Sequence, residues 1–369
     1  MGGLPPPSWS IVRLLTKSGA SIAASTASVV LAAFAVQLAG PFPAPPAAAA
    51  APATPAASAT PAASATPGTP AAAASSARPA TAGTPASSVT PAAPPARITA
   101  KAAELLDSTT GRRLWSRRLV HRRPIASITK VMTALIVLDA PRLERKLRVP
   151  AAAVSYAREH DAGSAGLHAG DVLTARQLLE AMLLPSGADA AYTLAHAYGP
   201  GWHAFVAKMN ATGRRLGMTN FHFANFDGLP YPTEHSTYAT PRDLLLLAAA
   251  AMKSAVFRGI VHQRTHDLAP TSQHHGYAWH TTNLLLRRYS GALGIKTGYT
   301  SGAGYCLLFA ARRHGITLTG VVLDSTTTSP GTRFTAASRL LNWGFRREHA
   351  AQLAGSAGQA RAGRLELPH

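Results

Sequence analysis

The chain predicts an α+β fold, one antiparallel sheet joined to a helical region. Strand-like residues from Ala102 to Leu106 and from Arg113 to Ser116 flank a turn at Asp107 to Gly111, which makes a hairpin. At the far end, Gly294–Thr297, Gly304–Ala311 and Ile316–Leu323 read as further strands, with Gly298, Gly302 and the Arg312–Gly315 segment as the turns. Helical patterns fill the space between. A chain with strands at both ends and helices in the middle closes most simply by pairing its two ends in one sheet.

From the N-terminus, Arg13 and Lys17 precede an uncharged stretch, Ser18 to Gly40, rich in Ala, Val, Leu and Ile. A basic flank followed by an apolar run is the pattern of an export signal or an N-terminal membrane anchor, so residues 1–40 are assigned that role. Residues 41–96 are almost entirely Ala, Pro, Thr, Ser and Gly, with near-repeats such as Ala53–Ser58 and Ala59–Ser64. Too little branched or aromatic surface is available there to offset ordering entropy, and the segment is expected to be a disordered linker. Residues 97–345 form the expected catalytic domain, and 346–369 a polar C-terminal tail. At about 250 residues, the domain is large enough to bury a substantial core.

Inside it, Pro124 introduces a helical run from Ile125 to Leu138. Further helices are expected at Ala175–Leu184, Asp189–Tyr198, Trp202–Leu216 and Pro241–Met252. Thr174 is the expected N-cap of the second, and Gly199 the stop of the third.

The formal charge of +20 is spread over short arginine pairs such as Arg112-Arg113 and Arg287-Arg288. That suits a solvated basic surface biased toward an anionic envelope. No spaced Cys/His set or basic stripe with stacking aromatics is present, which argues against a nucleic-acid partner. The single cysteine, Cys306, lies in the apolar run Tyr305–Phe309 and reads as packing; alone it rules out an intramolecular disulfide and a cysteine-rich metal site. Among the 15 histidines, His274-His275 and His280 lie close in sequence without a ligand-type spacing, so no metal site and no cofactor are expected.

The chemistry points to Ser127-Ile128-Thr129-Lys130. Three residues apart on a helix, hydroxyl and amine share one face. A lysine in a dry site loses its proton and can activate the serine, while a helix N-terminus favours a developing oxyanion. Alone, Ser-x-x-Lys is weak, and an N-cap serine with a solvated lysine would be the simpler reading. Support comes from Lys296-Thr297-Gly298, followed by Tyr299, at the end of a predicted strand. There a lysine and a threonine can meet a substrate carboxylate, and the glycine admits close backbone approach. Between the two lies Ser186-Gly187-Ala188, in a loop before a helix; Ser186 could relay a proton from Lys130.

With these elements in order, the chain resembles the low-molecular-mass penicillin-binding proteins, the serine D-Ala-D-Ala carboxypeptidases of the β-lactamase-like superfamily. The resemblance runs from about Ala102 to Leu323 and includes Ala126–Ala134, Phe223-Ala224-Asn225, Asp227–Pro230 and Thr240–Leu244. It implies an antiparallel sheet with helices on both sides plus a helical subdomain. It also implies Ser127 as nucleophile, Lys130 as base and Ser186 as proton relay. Lys296 and Thr297 would hold the terminal carboxylate, and backbone amides of Ser127 and Tyr299 the oxyanion. The substrate implied is a peptidoglycan stem peptide ending in D-Ala-D-Ala, with β-lactams as covalent inhibitors, and a monomer is expected.

One residue departs from the pattern. Ala188 stands where the family usually has asparagine, and no other Ser-x-Asn occurs in the chain. Loss of one neutral hydrogen bond costs about 0.5–1.5 kcal/mol, up to about tenfold in rate, so a slower enzyme is expected. A transpeptidase or endopeptidase on the same scaffold, or a weakened wall-binding domain, are the alternatives. A β-lactamase ranks below these, because no Ser-Asp-Asn motif is present and no glutamate-bearing loop placed to activate water is evident in the sequence.

Overall fold

The computed structural model describes residues 93–365, with side chains through residue 355. The expected signal or anchor segment and most of the expected linker lie outside the described residues.

Strands β1 (Ala102–Asp107) and β2 (Arg113–Arg117) form the first hairpin. The two-residue β3 (Arg123–Pro124) leads through a 3-10 turn, Ala126–Thr129, into α1 (Lys130–Asp139). Next come β4 (Lys146–Arg148), α2 (Ala151–Glu159), β5 (Val172–Thr174), α3 (Ala175–Leu183), α4 (Ala188–Tyr198) and α5 (Trp202–Arg215). Then follow β6 (Tyr238–Ala239), α6 (Pro241–Ala251), α7 (Ala255–His262), β7 (Thr265–Leu268), β8 (Tyr277–His280) and α8 (Leu285–Arg288). The last strands are β9 (Ala292–Thr300), β10 (Gly304–Arg313) and β11 (Ile316–Leu323), and α9 (Thr332–Leu365) closes the described chain.

The main sheet has the order β2-β1-β11-β10-β9, antiparallel throughout. The early and late strands of the chain join within it where β1 pairs β11, Ala102 opposite Leu323. Side chains alternate across the sheet, as the two-residue strand period requires. Ala103, Leu105, Leu307, Phe309, Leu318 and Val322 face one core, shared with Phe334, Leu340 and Leu341 of α9. Ala102, Leu308, Ala310, Val321 and Leu323 face the other, shared with α1, α3, α4, α6 and α7. Helices therefore cover both faces, as expected.

The element expectations hold closely in the middle of the chain. Thr174 caps α3 in a full capping box with Gln177, and Gly199 ends α4. The helical run expected from Ile125 begins differently. Ala126 has φ 47°, and Ser127 lies in the 3-10 turn, one turn ahead of the α-helix that starts at Lys130. The boundary expected at Phe345 falls inside α9, which runs on through Leu365. Glu348, beyond that boundary, is buried and paired with Arg112.

Candidate active site

The turn that carries Ser127 sits against β9, the edge strand of the sheet. Gly298 makes this approach possible: a Cβ built on it would lie 2.8 Å from the Ile125 carbonyl oxygen, 3.2 Å from the Ala126 Cβ and 3.3 Å from the Ser127 nitrogen. From the other side, Gly228 (φ 85°) fits tightly under the Ala126 carbonyl, where a Cβ would collide. Two glycines distant in sequence thus clamp the turn between strand and loop.

Within the turn, Lys130 is 2 % exposed and donates to Ser127 Oγ at 3.1 Å and to the Asp227 carbonyl at 3.1 Å. Burial lowers the ammonium pKa from its ordinary value, opposed by the carboxylates of Asp227 and Asp189. Asp227 is wholly buried and pushed up by burial, with Lys130 pulling the other way. Its Oδ1 accepts from the Leu229 amide at 3.1 Å. Tyr156 lies on the far side of Asp227, its phenol pushed up by burial and then by that carboxylate. The Asp227 carboxylate thus adds a charge that bears on Lys130.

Lys296 is 1 % exposed and donates to the Thr297 carbonyl at 3.2 Å. Burial, then the neighbouring Lys130 and Arg333, hold its pKa well below the usual range. Thr297 Oγ1 lies 2.6 Å from Thr282 Oγ1, and the Thr282 amide donates to Leu184 O at 3.0 Å. Thr282 thus ties Lys296-Thr297-Gly298 to the C-terminal end of α3, just before the Ser186 loop. Tyr299 is 45 % exposed at the rim, stacked on Tyr305 at 4.3 Å.

Ser186 occupies the loop between α3 and α4 with φ 71°, a left-handed conformation that a non-glycine residue holds only when its surroundings force it. Those surroundings are visible. The Ala188 amide donates to Gly163 O at 2.7 Å. The Asp189 carboxylate accepts from Ser164 Oγ (2.7 Å), from the amides of Ala165 (3.0 Å) and Leu167 (3.1 Å), and from the Ala190 amide (2.9 Å). Gly187 is hemmed in by Ala181 O, Asp189 Oδ1 and the Ala165 Cβ, each within 2.8 Å of where a Cβ would stand. Ser186 is not among the hydrogen-bond partners of Lys130. Ala188 is fully buried at the start of α4.

Sequence reasoning missed Arg333. From α9 it donates through Nη1 to Gly298 O at 3.1 Å, and its buried Nε has no partner among the described residues. It lies over the ring of Tyr305 and beside Lys296. A buried donor of this kind suits an incoming carboxylate. Nothing in the local sequence of Arg333 separates it from its many arginine neighbours. Cys306 is fully buried, its thiol pushed up to about 12 by burial, which fits the packing role read from the sequence.

A family model for D-alanyl-D-alanine carboxypeptidase matches residues 88–327. A D-alanyl-D-alanine carboxypeptidase of Streptomyces is 38% identical over 260 residues, 67% of this chain and 88% of that protein. A D-alanyl-D-alanine endopeptidase of Escherichia coli is 32% identical over 249 residues, 67% of this chain and 77% of that protein. The crystal structure of a Streptomyces DD-transpeptidase aligns with a TM-score of 0.64 at 38% identity, covering 68% of this chain and 98% of that one.

Proposed function

The chain belongs to the D-alanyl-D-alanine carboxypeptidase family of serine peptidases, and from that premise we propose how its own residues perform the reaction. Ser127 attacks the carbonyl between the two terminal D-alanines of a peptidoglycan stem peptide. Its proton passes to Lys130, which burial keeps poised to accept it. The carbonyl oxygen, now negative, is held by the amides of Ser127 and Tyr299. Lys130, with Ser186 as relay, returns the proton to the leaving D-alanine. Water then hydrolyses the acyl-enzyme and frees Ser127.

Lys296, Thr297 and Arg333 supply the cationic end that receives the terminal carboxylate. Such an arrangement recognises the carboxylate of the residue that follows the scissile bond. The observation that carries the reading is the 3.1 Å contact between a buried, pKa-lowered lysine and the serine three residues before it. Penicillin presents a carboxylate and a strained amide to the same groups and would acylate Ser127. No metal takes part in these steps. The basic flank and apolar run of residues 1–40 support export to the cell envelope, where that substrate lies.

The test is intact-protein mass after exposure to benzylpenicillin, for the native chain and for Ser127→Ala. A penicilloyl adduct on the native chain alone is expected, together with D-alanine release from a D-Ala-D-Ala peptide. A folded native chain that forms no adduct would overturn the assignment.

A further inference from the structure

The helices over the main sheet part at one end, where β9 begins, β10 turns into β11 and β1 stops. Lys253-Ser254 interrupts the helical run there. Ser254 Oγ caps α7 by accepting from the Phe257 amide at 3.2 Å, and α7 leaves α6 at an angle of 108°. α7 then packs on β9, with Val261 seated over Gly294. The bend leaves a cavity of about 760 Å³ between the helix junction and the sheet.

Its floor is apolar. Leu106, Met252 and Leu293 line it from the edge of the core, each only half-buried. Strand register sets polar groups beside them, with Leu106 opposite Thr319 and Arg312 opposite Thr317. Thr319 is buried, and its Oγ1 accepts from Ser108 Oγ at 2.6 Å, so its own proton has no acceptor among the described residues. Four basic side chains line the cavity, Lys253, Arg258, His262 and Arg312, and no Asp or Glu does. Arg258 is engaged, donating through Nη1 to the carbonyls of Met252 (2.7 Å) and Lys253 (2.8 Å) at the end of α6. The Lys253 amine, the His262 ring and the Arg312 guanidinium have no hydrogen-bond or ion-pair partner among the described residues. A second cavity of about 390 Å³ shares His262, Leu293 and Arg312 and adds Arg264, again without an acid.

Unpaired cations beside an uncovered apolar floor match a molecule that has both an anionic and an apolar part. We propose that this cavity binds an alkyl chain with an anionic oxyacid head, a carboxylate or a phosphate. The chain lies on Leu106, Met252 and Leu293, and the head meets Arg312 and Lys253. The guanidinium of Arg312 offers the planar fork that such heads accept from. Leu293 lies three residues before Lys296, about 10 Å along β9, so the ligand rests against the start of that strand and outside the groups that carry the reaction.

Calorimetric titration of the full chain with dodecanoate and with dodecyl phosphate, both below micelle formation, tests this. Gly259→Leu fills the cavity: Gly259 lines it, a Cβ there meets nothing within 4 Å, and leucine suits a helix better than glycine. Lys253→Gln/Arg312→Gln removes the charges and leaves the floor. A thermal melt without ligand shows that each variant is folded. One saturable site per native chain is expected, weakened at least about tenfold in both variants, the value of one lost charge-assisted hydrogen bond. The tighter of the two probes identifies the head. The apolar run of residues 18–40 is common to all three chains, so binding there cannot produce the difference. Equal affinity in native and Gly259→Leu chains would overturn the proposal. So would equal binding of dodecyltrimethylammonium, or of inorganic phosphate in place of dodecyl phosphate. The readout does not use penicillin acylation, so it stands or falls apart from the proposed reaction.

Discussion

Lys130 Nζ sits 3.1 Å from Ser127 Oγ and 3.1 Å from the Asp227 carbonyl, so the amine is held by the group it activates and by a loop 97 residues away. With both contacts made inside the core, Lys130→Met keeps most of the packing and removes the base. Penicillin acylation should fall by about 10²- to 10⁴-fold with the unfolding midpoint little changed. Stopped-flow acylation beside a thermal melt checks it. A variant that acylates at the native rate would remove Lys130 from the mechanism.

Asp227 sets the pH at which that base works. The neutral amine is the active form, so acylation rises with pH through the Lys130 pKa. The Asp227 carboxylate favours the ammonium and raises that pKa, against the lowering by burial. Asp227→Asn removes the charge and keeps an oxygen for the Leu229 amide. Lys130 should then lose its proton more easily, and the acid limb of the acylation profile should move to lower pH. A limb that stays in place, or moves up, would show that another group controls it.

Gly298 is the point where strand and serine turn meet. Gly298→Ala introduces a methyl 2.8 Å from the Ile125 carbonyl and 3.3 Å from the Ser127 nitrogen. β9 must retreat, carrying Lys296 and Thr297 with it. Misplacement on the order of 1 Å costs about 10²-fold in rate, so acylation should drop about 10- to 100-fold. Overpacking should also cost about 1–3 kcal/mol of stability. Native acylation in this variant would mean that the contact plays no part in aligning the site.

What the sequence exposed follows from how local each signal is. Ser127 and Lys130 are three residues apart, Lys296 and Thr297 are adjacent, and Thr174 and Gly199 act on their own helices; each could be read in a short window. The strand Ile316–Leu323 was legible for the same reason, as an apolar run bounded by turns. Arg333, Thr282 and the charge of Asp227 on Lys130 act across the fold, and no window contains both partners. α9 was obscured differently. The polar residues after Phe345 read in sequence as a tail, although Glu348 on the same helix is buried against Arg112. Ser127 shows the limit of even a local reading, since the spacing suggested an α-helix and the left-handed Ala126 makes the first turn 3-10.

Ala188 is where sequence and structure bear on one question. The side chain is fully buried, its amide donates to Gly163 O at 2.7 Å, and the neighbouring Gly187 has no room for a Cβ. An asparagine there would bring an amide to the edge of the site at the expense of local packing. Ala188→Asn should therefore speed acylation by up to about tenfold, the value of one hydrogen bond. It should also lower stability by about 1–3 kcal/mol through overpacking, roughly 2–4 °C in the unfolding midpoint for each kcal/mol. Acylation kinetics and melting on the same preparation separate the two effects. Faster acylation with a lower midpoint would show that the missing amide limits the native rate. Unchanged or slower acylation in a folded variant would mean that this site is built around a small residue, and that Ser186 and Lys130 work without the amide.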